Sequence, residues 1–195
     1  MLNFLDIVGS IFGFLATYCY IRVNILGWPL SLIAIVIDIV LCLKKGIYGT
    51  MGLQFVYFFL SLYGWYQWKY GNDKAGLLIR NVVRKEMIIL VFVAIFGFIP
   101  IFVLLNFYTD SNIPLLDSIV VIISLIAQWM SCKKIIECWY LWFTVDALLV
   151  GIYAYKGVPV HTVLFLVYTG MAIAGYINWK KQLIIKIRNF NVGAK

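Results

Sequence analysis

Charged residues are scarce in this chain, making up only 12% of its 195 residues. A soluble domain is about a quarter charged and about half apolar, whereas 64% of this chain is hydrophobic and its mean hydropathy is +0.98. Such a composition does not supply enough polar surface to face water on all sides. We therefore predict an integral membrane protein with no room for a soluble domain.

Catalytic and redox motifs are also missing. The chain has one histidine, His161, and no H-E-x-x-H, G-x-S-x-G or Walker motif, so we expect no catalytic residues, no metal and no cofactor. The lack of a nucleotide-binding segment excludes a self-contained ATP-driven pump. The four cysteines, Cys19, Cys42, Cys132 and Cys138, have no C-x-x-C spacing and lie in or beside apolar runs. This pattern favours buried thiols over disulfides.

Seven apolar stretches are present, each close to the roughly 20 residues that span a bilayer as a helix. They cover about 4–21, 25–43, 47–66, 87–105, 115–131, 138–155 and 160–179. The first stretch lacks a basic n-region and a small-residue cleavage site, so we expect it to be a membrane helix and not a signal peptide. One longer polar loop, 67–86, separates the third and fourth spans.

Basic residues fall mainly on one side of these spans. Thirteen lie on the side of the C-terminus and three, Lys44, Lys45 and Lys156, lie on the other. Because loops rich in Lys and Arg stay in the cytoplasm, this bias predicts a cytoplasmic C-terminus and an external N-terminus. It also accounts for the net charge of +8 without a nucleic-acid partner. The basic tail from Lys180 is expected to lie along the membrane surface.

An internal repeat appears when the sequence is shifted by 111 residues. The shift places Trp28 on Trp139, among other Trp, Gly and Asp matches, and leaves the fourth span as a linker. We therefore predict an all-α integral membrane protein with seven transmembrane helices in a 3+1+3 arrangement of parallel repeats. Secondary transporters use such repeats and bind substrate between them. The predicted units are 1–68 and 111–179 for the repeats, 69–110 for a basic cytoplasmic loop with the linker helix, and 180–195 for a basic cytoplasmic tail.

The strongest candidate site is the WYLWFTVD stretch on the sixth span. Trp139, Trp142 and Asp146 are spaced i, i+3, i+7, which puts two indoles and a carboxylate on one helix face. A carboxylate at bilayer depth is a functional candidate, and indoles attract flat cations. The alternative is that the tryptophans are packing or interfacial residues and that Asp146 bonds a neighbouring helix.

The repeat shows where the two halves differ. Asp146 aligns with Ile35, and Trp142 aligns with Ser31, so this face is not required by the scaffold of both halves. The first half has its own acid, Asp38, seven residues after Ser31. We predict that the two carboxylates face a common cavity from opposite halves; the alternative for Asp38 is a hydrogen bond to another helix.

Further candidates lie on the third span of each half. Gln54, Tyr57 and Ser61 share one helix face, and Tyr168 repeats Tyr57. Gln54 could bond an amide or a ribose, or else a neighbouring helix. Aromatic residues at helix ends are expected to be interfacial anchors. These are Trp65, Trp68, Tyr176 and Trp179.

These residues resemble the PnuC-type vitamin transporters, the nicotinamide riboside transporter family. The resemblance rests on WPLSLIAI at 28–35, YGWYQW at 63–68, the W-x-x-W-x-x-x-[N/D] element at 139–146, and the Lys156-Gly157 pair. It covers nearly the whole chain and implies a fold similar to that of the SWEET sugar transporters. The family often has Asn where this chain has Asp146, so the substrate need not be the family's usual one.

The resemblance implies facilitated diffusion of a vitamin precursor across the inner membrane of a bacterium. It also implies a cytoplasmic kinase that phosphorylates and traps the substrate without binding the carrier stably. Nicotinamide riboside is the first expectation, with thiamine and then riboflavin as alternatives, because an indole pair and a carboxylate suit a cationic aromatic ring. A membrane-embedded enzyme, a binding subunit of a larger complex, and assembly into a homo-oligomer stay open.

Overall fold

The computed structural model describes residues 2–45, 48–71, 77–109 and 112–193, and seven helices account for most of them. The helices are α1 (Leu2–Ile21), α2 (Gly27–Lys45), α3 (Tyr48–Tyr70), α4 (Arg84–Tyr108), α5 (Pro114–Cys132), α6 (Cys138–Tyr155) and α7 (Pro159–Gly193). Six of them are long and apolar enough to cross a membrane. The exception is α3, which has 23 residues but carries several polar side chains. At 1.5 Å per residue, its length still exceeds the roughly 30 Å hydrocarbon core.

The helix ends follow local sequence signals. Pro114 is the first residue of α5, where its missing N–H costs no hydrogen bond. Helix α6 ends before Gly157, which has a φ of +68°. The last helix has no such stop: α7 runs on through the basic segment to Gly193, and Leu183 packs against the core. The described part of the tail therefore continues the last span as one 35-residue helix, and its position along the membrane surface stays a prediction.

The helices form two three-helix units joined by α4. Helix α2 packs between α1 and α3, and α6 packs between α5 and α7. The units meet along α3 with α5 and along α7 with α1, which are equivalent contacts under the 111-residue shift. Helix α4 packs on α5 and has no buried residue. The predicted 3+1+3 arrangement of seven helices is confirmed.

Both repeats use the same unusual turn between their first two helices. Val23 has a φ of 57° and Lys134, its equivalent, has a φ of 50°. Positive φ is uncommon for residues with a side chain. The hydrogen bonds repeat as well, from Asn24 N to Cys19 O at 2.8 Å and from Ile135 N to Met130 O at 3.0 Å. The sequence match thus reflects a repeated backbone conformation, which includes the unfavourable positive φ at the equivalent residue of each repeat.

Tryptophans form the centre of the interface between the halves. The Trp68 and Trp179 side chains are only 4% and 1% exposed, and their ring centroids lie 6.0 Å apart. Trp68 Nε1 donates to Ser131 O at 3.0 Å, and Trp179 Nε1 donates to Tyr20 O at 2.9 Å. Each indole therefore bonds the opposite half. The expectation that these two residues are interfacial anchors is wrong, because each is buried and hydrogen-bonded to the other repeat.

Part of the α3–α4 connection packs under this tryptophan cluster. Arg80 N donates to Lys134 O at 3.1 Å, and Lys134 Nζ donates to Leu77 O at 2.8 Å. The same ammonium group lies 4.3 Å from the Trp68 ring centroid. Burial lowers the pKa of Lys134 to about 8, because the charged form loses its hydration. Lys134 is therefore a packed residue and not a solvated loop charge.

Candidate functional site

A cavity of about 570 Å³ lies between the two repeats, and six helices contribute to its wall. The lining is largely apolar and aromatic, with hydroxyl and amide groups from several helices. Seven of the eight predicted site residues line it: Ser31, Gln54, Tyr57, Trp139, Trp142, Asp146 and Tyr168. Within the described part of the chain, no Lys, Arg or His lines the cavity. Such a wall suits a small organic ligand with a flat ring.

Among the described residues of this lining, Asp146 provides the one ionisable carboxylate. It lies on α6 and is 8% exposed, and no described residue forms a hydrogen bond or ion pair with it. It is close enough to Tyr168 for the two side chains to interact electrostatically. A buried ionised carboxylate is costly unless a cation or hydrogen-bond donors compensate it. The alternative of a hydrogen bond to a neighbouring helix is not found among the described residues.

The two indoles before Asp146 have different roles. Trp139 lies edge-on to Trp179, with ring centroids 5.5 Å apart and planes at 90°, and its ring covers Gly175. Its equivalent Trp28 covers Gly64 in the same way. Trp139 is thus a repeated packing residue that also lines the cavity. One side of its ring is covered by α7, and the platform of two indoles stays a prediction.

Trp142 has no such equivalent and stays available to a ligand. Its Nε1 donates to Ser131 Oγ at 3.1 Å. Under the repeat, the corresponding pair is Ser31 with Tyr20, whose oxygens lie 2.8 Å apart. The two halves therefore place one aromatic and one serine side chain at equivalent points of the wall, but with the aromatic residue on opposite helices. This exchange makes the cavity chemically asymmetric while the backbone stays symmetric.

Asp38 is the predicted site residue that the structure places outside the lining. It lies half-buried on α2 and accepts a hydrogen bond from Gln54 Nε2 at 3.3 Å. Gln54 itself lines the cavity. Of the two carboxylates predicted to face a common cavity, only Asp146 is among the described lining residues. The Asp38 carboxylate lies between Gln54 on α3 and Gly9 on α1, and it contacts the lining at Gln54.

The tyrosines of the third helix in each repeat line opposite walls. Tyr57 lies close enough to Ser124, on α5 of the other repeat, for the two side chains to interact. Tyr168 reaches α1, where a Cβ added at Gly13 would lie 3.0 Å from its hydroxyl oxygen. Each predicted tyrosine therefore contacts the opposite half. These contacts support the prediction that the cavity is shared by both repeats.

Some polar residues of the wall were missed in the sequence. Gln128 on α5 lines the cavity and donates from Nε2 to Ser61 Oγ at 3.2 Å. Tyr153 lines it too, and its ring stacks on Phe165 at 5.4 Å. A glutamine within an apolar span is a signal that could have identified Gln128. His161, the one histidine, stacks on Tyr153 at 4.9 Å and is not part of the lining.

The fold and the cavity define a multi-pass membrane transporter, with two parallel repeats around one binding cavity. The chain belongs to the nicotinamide mononucleotide transporter family, whose sequence profile matches residues 3–181. This membership confirms the resemblance noted in the sequence. It also excludes the alternative of a membrane-embedded enzyme, since the family consists of transporters.

Individual relatives cover most of the chain. It is 25% identical over 180 residues to the riboflavin/roseoflavin transporter RibM of Streptomyces davaonensis, covering 89% of this chain and 83% of the relative. It is 23% identical over 204 aligned positions to the nicotinamide riboside transporter PnuC of Escherichia coli, covering 91% and 85%. The crystal structure of the vitamin B3 transporter PnuC matches with a TM-score of 0.75 at 22% identity, over 92% of this chain and 82% of that one. This last likeness shows the fold.

Proposed function

We propose that this chain carries nicotinamide riboside across the inner membrane of a bacterium by facilitated diffusion. The observation that supports this substrate best is the Asp146 carboxylate, which lines the cavity without a described partner. The nicotinamide ring of the riboside carries a fixed positive charge. A bound cation would compensate the buried carboxylate, and the aromatic wall would contact the ring.

The charge of the lining also supports an unphosphorylated substrate. A phosphate group needs cationic or strong N–H donors, and no Lys or Arg of the described residues lines the cavity. Asp146 would repel it. Phosphorylation by a cytoplasmic kinase would therefore prevent return through the carrier. This step accounts for net uptake without a pump, and it needs no stable complex between carrier and kinase.

Riboflavin is the second candidate, because a relative of similar sequence identity is named as a riboflavin/roseoflavin transporter. The cavity volume of about 570 Å³ does not separate the candidates, since pockets for such ligands span ~300–1,000 Å³. Charge separates them: riboflavin is neutral and offers Asp146 no counter-charge. Thiamine, with its cationic ring, satisfies the same charge argument as nicotinamide riboside and is the alternative within the cationic class.

A binding titration tests the substrate directly. Purified protein in detergent is titrated with nicotinamide riboside, nicotinamide mononucleotide, thiamine and riboflavin. We expect nicotinamide riboside to bind most tightly and the mononucleotide to bind at least tenfold more weakly. In liposomes, flux of the riboside should stop at equal concentrations on both sides. Tightest binding of riboflavin would overturn the proposed substrate, and accumulation that an ionophore abolishes would overturn facilitated diffusion.

The orientation in the membrane is a separate proposal. Basic residues from three connections, Arg22, Lys69 and Arg80 among them, lie at one end of the bundle. This end is held together by bonds such as Asn178 Nδ2 to Ile21 O at 2.6 Å. We infer that it faces the cytoplasm, which leaves the N-terminus outside. Lys74 and Lys195, which the basic count included, lie outside the described residues.

Reporter fusions at both termini test this orientation. A cytoplasm-dependent reporter should be active at the C-terminus and silent at the N-terminus. A reporter that needs the outer compartment should give the reverse pattern. Activity of the second reporter at the C-terminus would contradict the proposed orientation.

A further inference from the structure

The geometry of Asp38 and Gln54 points to a pair of residues that sets substrate selectivity. Only Gln54 of the pair lines the cavity. We propose that Asp38 fixes the orientation of the Gln54 amide, so that Gln54 presents its carbonyl oxygen to the cavity and selects substrates with a hydrogen-bond donor. Gln54 would be the specificity-determining residue and Asp38 a positioning residue. This inference rests on the proposed function, since it concerns how the same cavity reads nicotinamide riboside.

The orientation follows from the chemistry of the two groups. An ionised carboxylate only accepts hydrogen bonds, whereas an amide donates from nitrogen and accepts at oxygen. The contact from Gln54 Nε2 to Asp38 Oδ2, at 3.3 Å, therefore uses the donor end of the amide. Gln54 Oε1 has no described protein partner, and the residue lines the cavity. The acceptor end is the part left for a ligand.

The repeat argues against a role in helix packing alone. Under the 111-residue shift, Asp38 corresponds to Leu149 and Gln54 corresponds to Phe165. Both of these apolar residues line the cavity from α6 and α7, which pack as closely as α2 and α3. The scaffold therefore does not need a polar pair at these positions. Both members of the pair occur together in one half and both are absent from the other.

Asp38 lies beside Gln54 but is not among the described residues that line the cavity. A Cβ added at Gly9 on α1 would lie 3.6 Å from Asp38 Oδ1, so α1 passes close to the carboxylate. Asp146, in contrast, lines the cavity directly. The two acids thus have separate roles. Asp146 compensates the positive charge of the substrate, and Asp38 determines which end of the Gln54 amide faces the cavity.

Two groups of nicotinamide riboside could donate to Gln54 Oε1: the carboxamide NH₂ and a ribose hydroxyl. Analogues distinguish them. The 3-acetylpyridine riboside replaces the NH₂ by a methyl group of similar size, and the 2′,3′-dideoxy and 5′-deoxy analogues remove hydroxyls. Wild-type protein should bind one of these analogues at least about tenfold more weakly than the parent, because a site built around a hydrogen bond rejects an analogue that lacks it. We call this factor the donor preference.

The variants then assign the donor preference to residues. Gln54→Met keeps the side-chain length without polar atoms and should abolish it. Asp38→Leu, which installs the residue of the other repeat, should reduce it at least threefold while leaving affinity for the analogue unchanged, because Gln54 can then turn either end inward. Asp38→Asn should retain most of it, since the asparagine carbonyl still accepts from Gln54. Asp6→Leu, an acid on α1 outside the cavity lining, is the matched control and should change nothing.

The outcomes separate this inference from the proposed function. If nicotinamide riboside fails to bind the wild-type protein, the proposed function is overturned, and this inference with it. If the riboside binds but no analogue is disfavoured, or if Gln54→Met keeps the donor preference, only the inference fails. An unchanged donor preference in folded Asp38→Leu would restrict Asp38 to a structural role. Thermal melting of each variant checks folding, and Gln54→Met decides the matter if Asp38→Leu does not fold.

Discussion

Asp146→Ala is expected to weaken binding of nicotinamide riboside at least tenfold. The carboxylate lies in the wall of a largely apolar cavity and has no described partner, so a bound cation would be its counter-charge. Removing one member of a close buried charge pair commonly costs ~2–5 kcal/mol, and about 1.4 kcal/mol corresponds to a factor of ten. Isothermal titration of the purified variant measures the effect.

Asp146→Asn separates charge from hydrogen bonding, because it keeps the shape and removes the charge. If charge selects the substrate, this variant should lose affinity for the cationic riboside and lose less for its uncharged dihydronicotinamide counterpart. Asp117→Asn is the matched control, since Asp117 is an acid on α5 outside the lining. Equal losses for both ligands would show that Asp146 acts without its charge. Unchanged affinity in folded Asp146→Ala would remove the residue from the site.

Gly175→Ala is expected to destabilise the fold strongly, although it adds only one methyl group. The new Cβ would lie 2.6 Å from ring atoms of Trp139, closer than carbon atoms can approach. Trp139 is held edge-on against Trp179, so its ring has little freedom to withdraw. Overpacking of a core costs about 1–3 kcal/mol and occasionally more. We expect the upper end of this range, measured as a lower melting temperature in detergent.

Gly170→Ala is the matched control for this substitution, because it lies on the same helix and has no atom within 4 Å of the added Cβ. It should be neutral or slightly stabilising, since alanine favours helix over glycine by about 1 kcal/mol. Gly64→Ala should behave like Gly175→Ala, because Trp28 covers Gly64 in the first repeat. Identical melting of Gly175→Ala and Gly170→Ala would contradict the tight packing of the tryptophan–glycine pair.

The repeat explains why so much of the architecture could be predicted from the sequence. Each span is a run of apolar residues, and hydrophobicity is a local property that needs no knowledge of partners. The 111-residue match then relates two units whose backbones prove equivalent even at Val23 and Lys134, which both have positive φ although they are not glycine. Asp146 could be predicted for a similar reason: a carboxylate within an apolar span is conspicuous without any structural context.

The roles of the aromatic residues could not be predicted in the same way. Trp68 and Trp179 stand near helix ends, where tryptophan commonly anchors a membrane protein at the interface. Their hydrogen-bond partners belong to the other repeat, and Trp179 bonds a carbonyl 159 residues away. Trp139 and Trp142 share a helix face, yet only the position of Gly175 shows that Trp139 is occupied by packing.

The sequence by itself determined the membrane class, the seven helices, the repeat and the acid at the cavity, because hydrophobic runs, charge and self-similarity are properties of the chain alone. The tertiary structure decided which polar groups face the cavity. Asp38 turns to Gln54, Trp139 covers Gly175, and Gln128 bonds Ser61. These choices depend on which atoms of a neighbouring helix lie opposite each side chain, and only the packed structure places those atoms. Spacing along one helix shows which residues share a face, but it does not show which residue of another helix packs against that face.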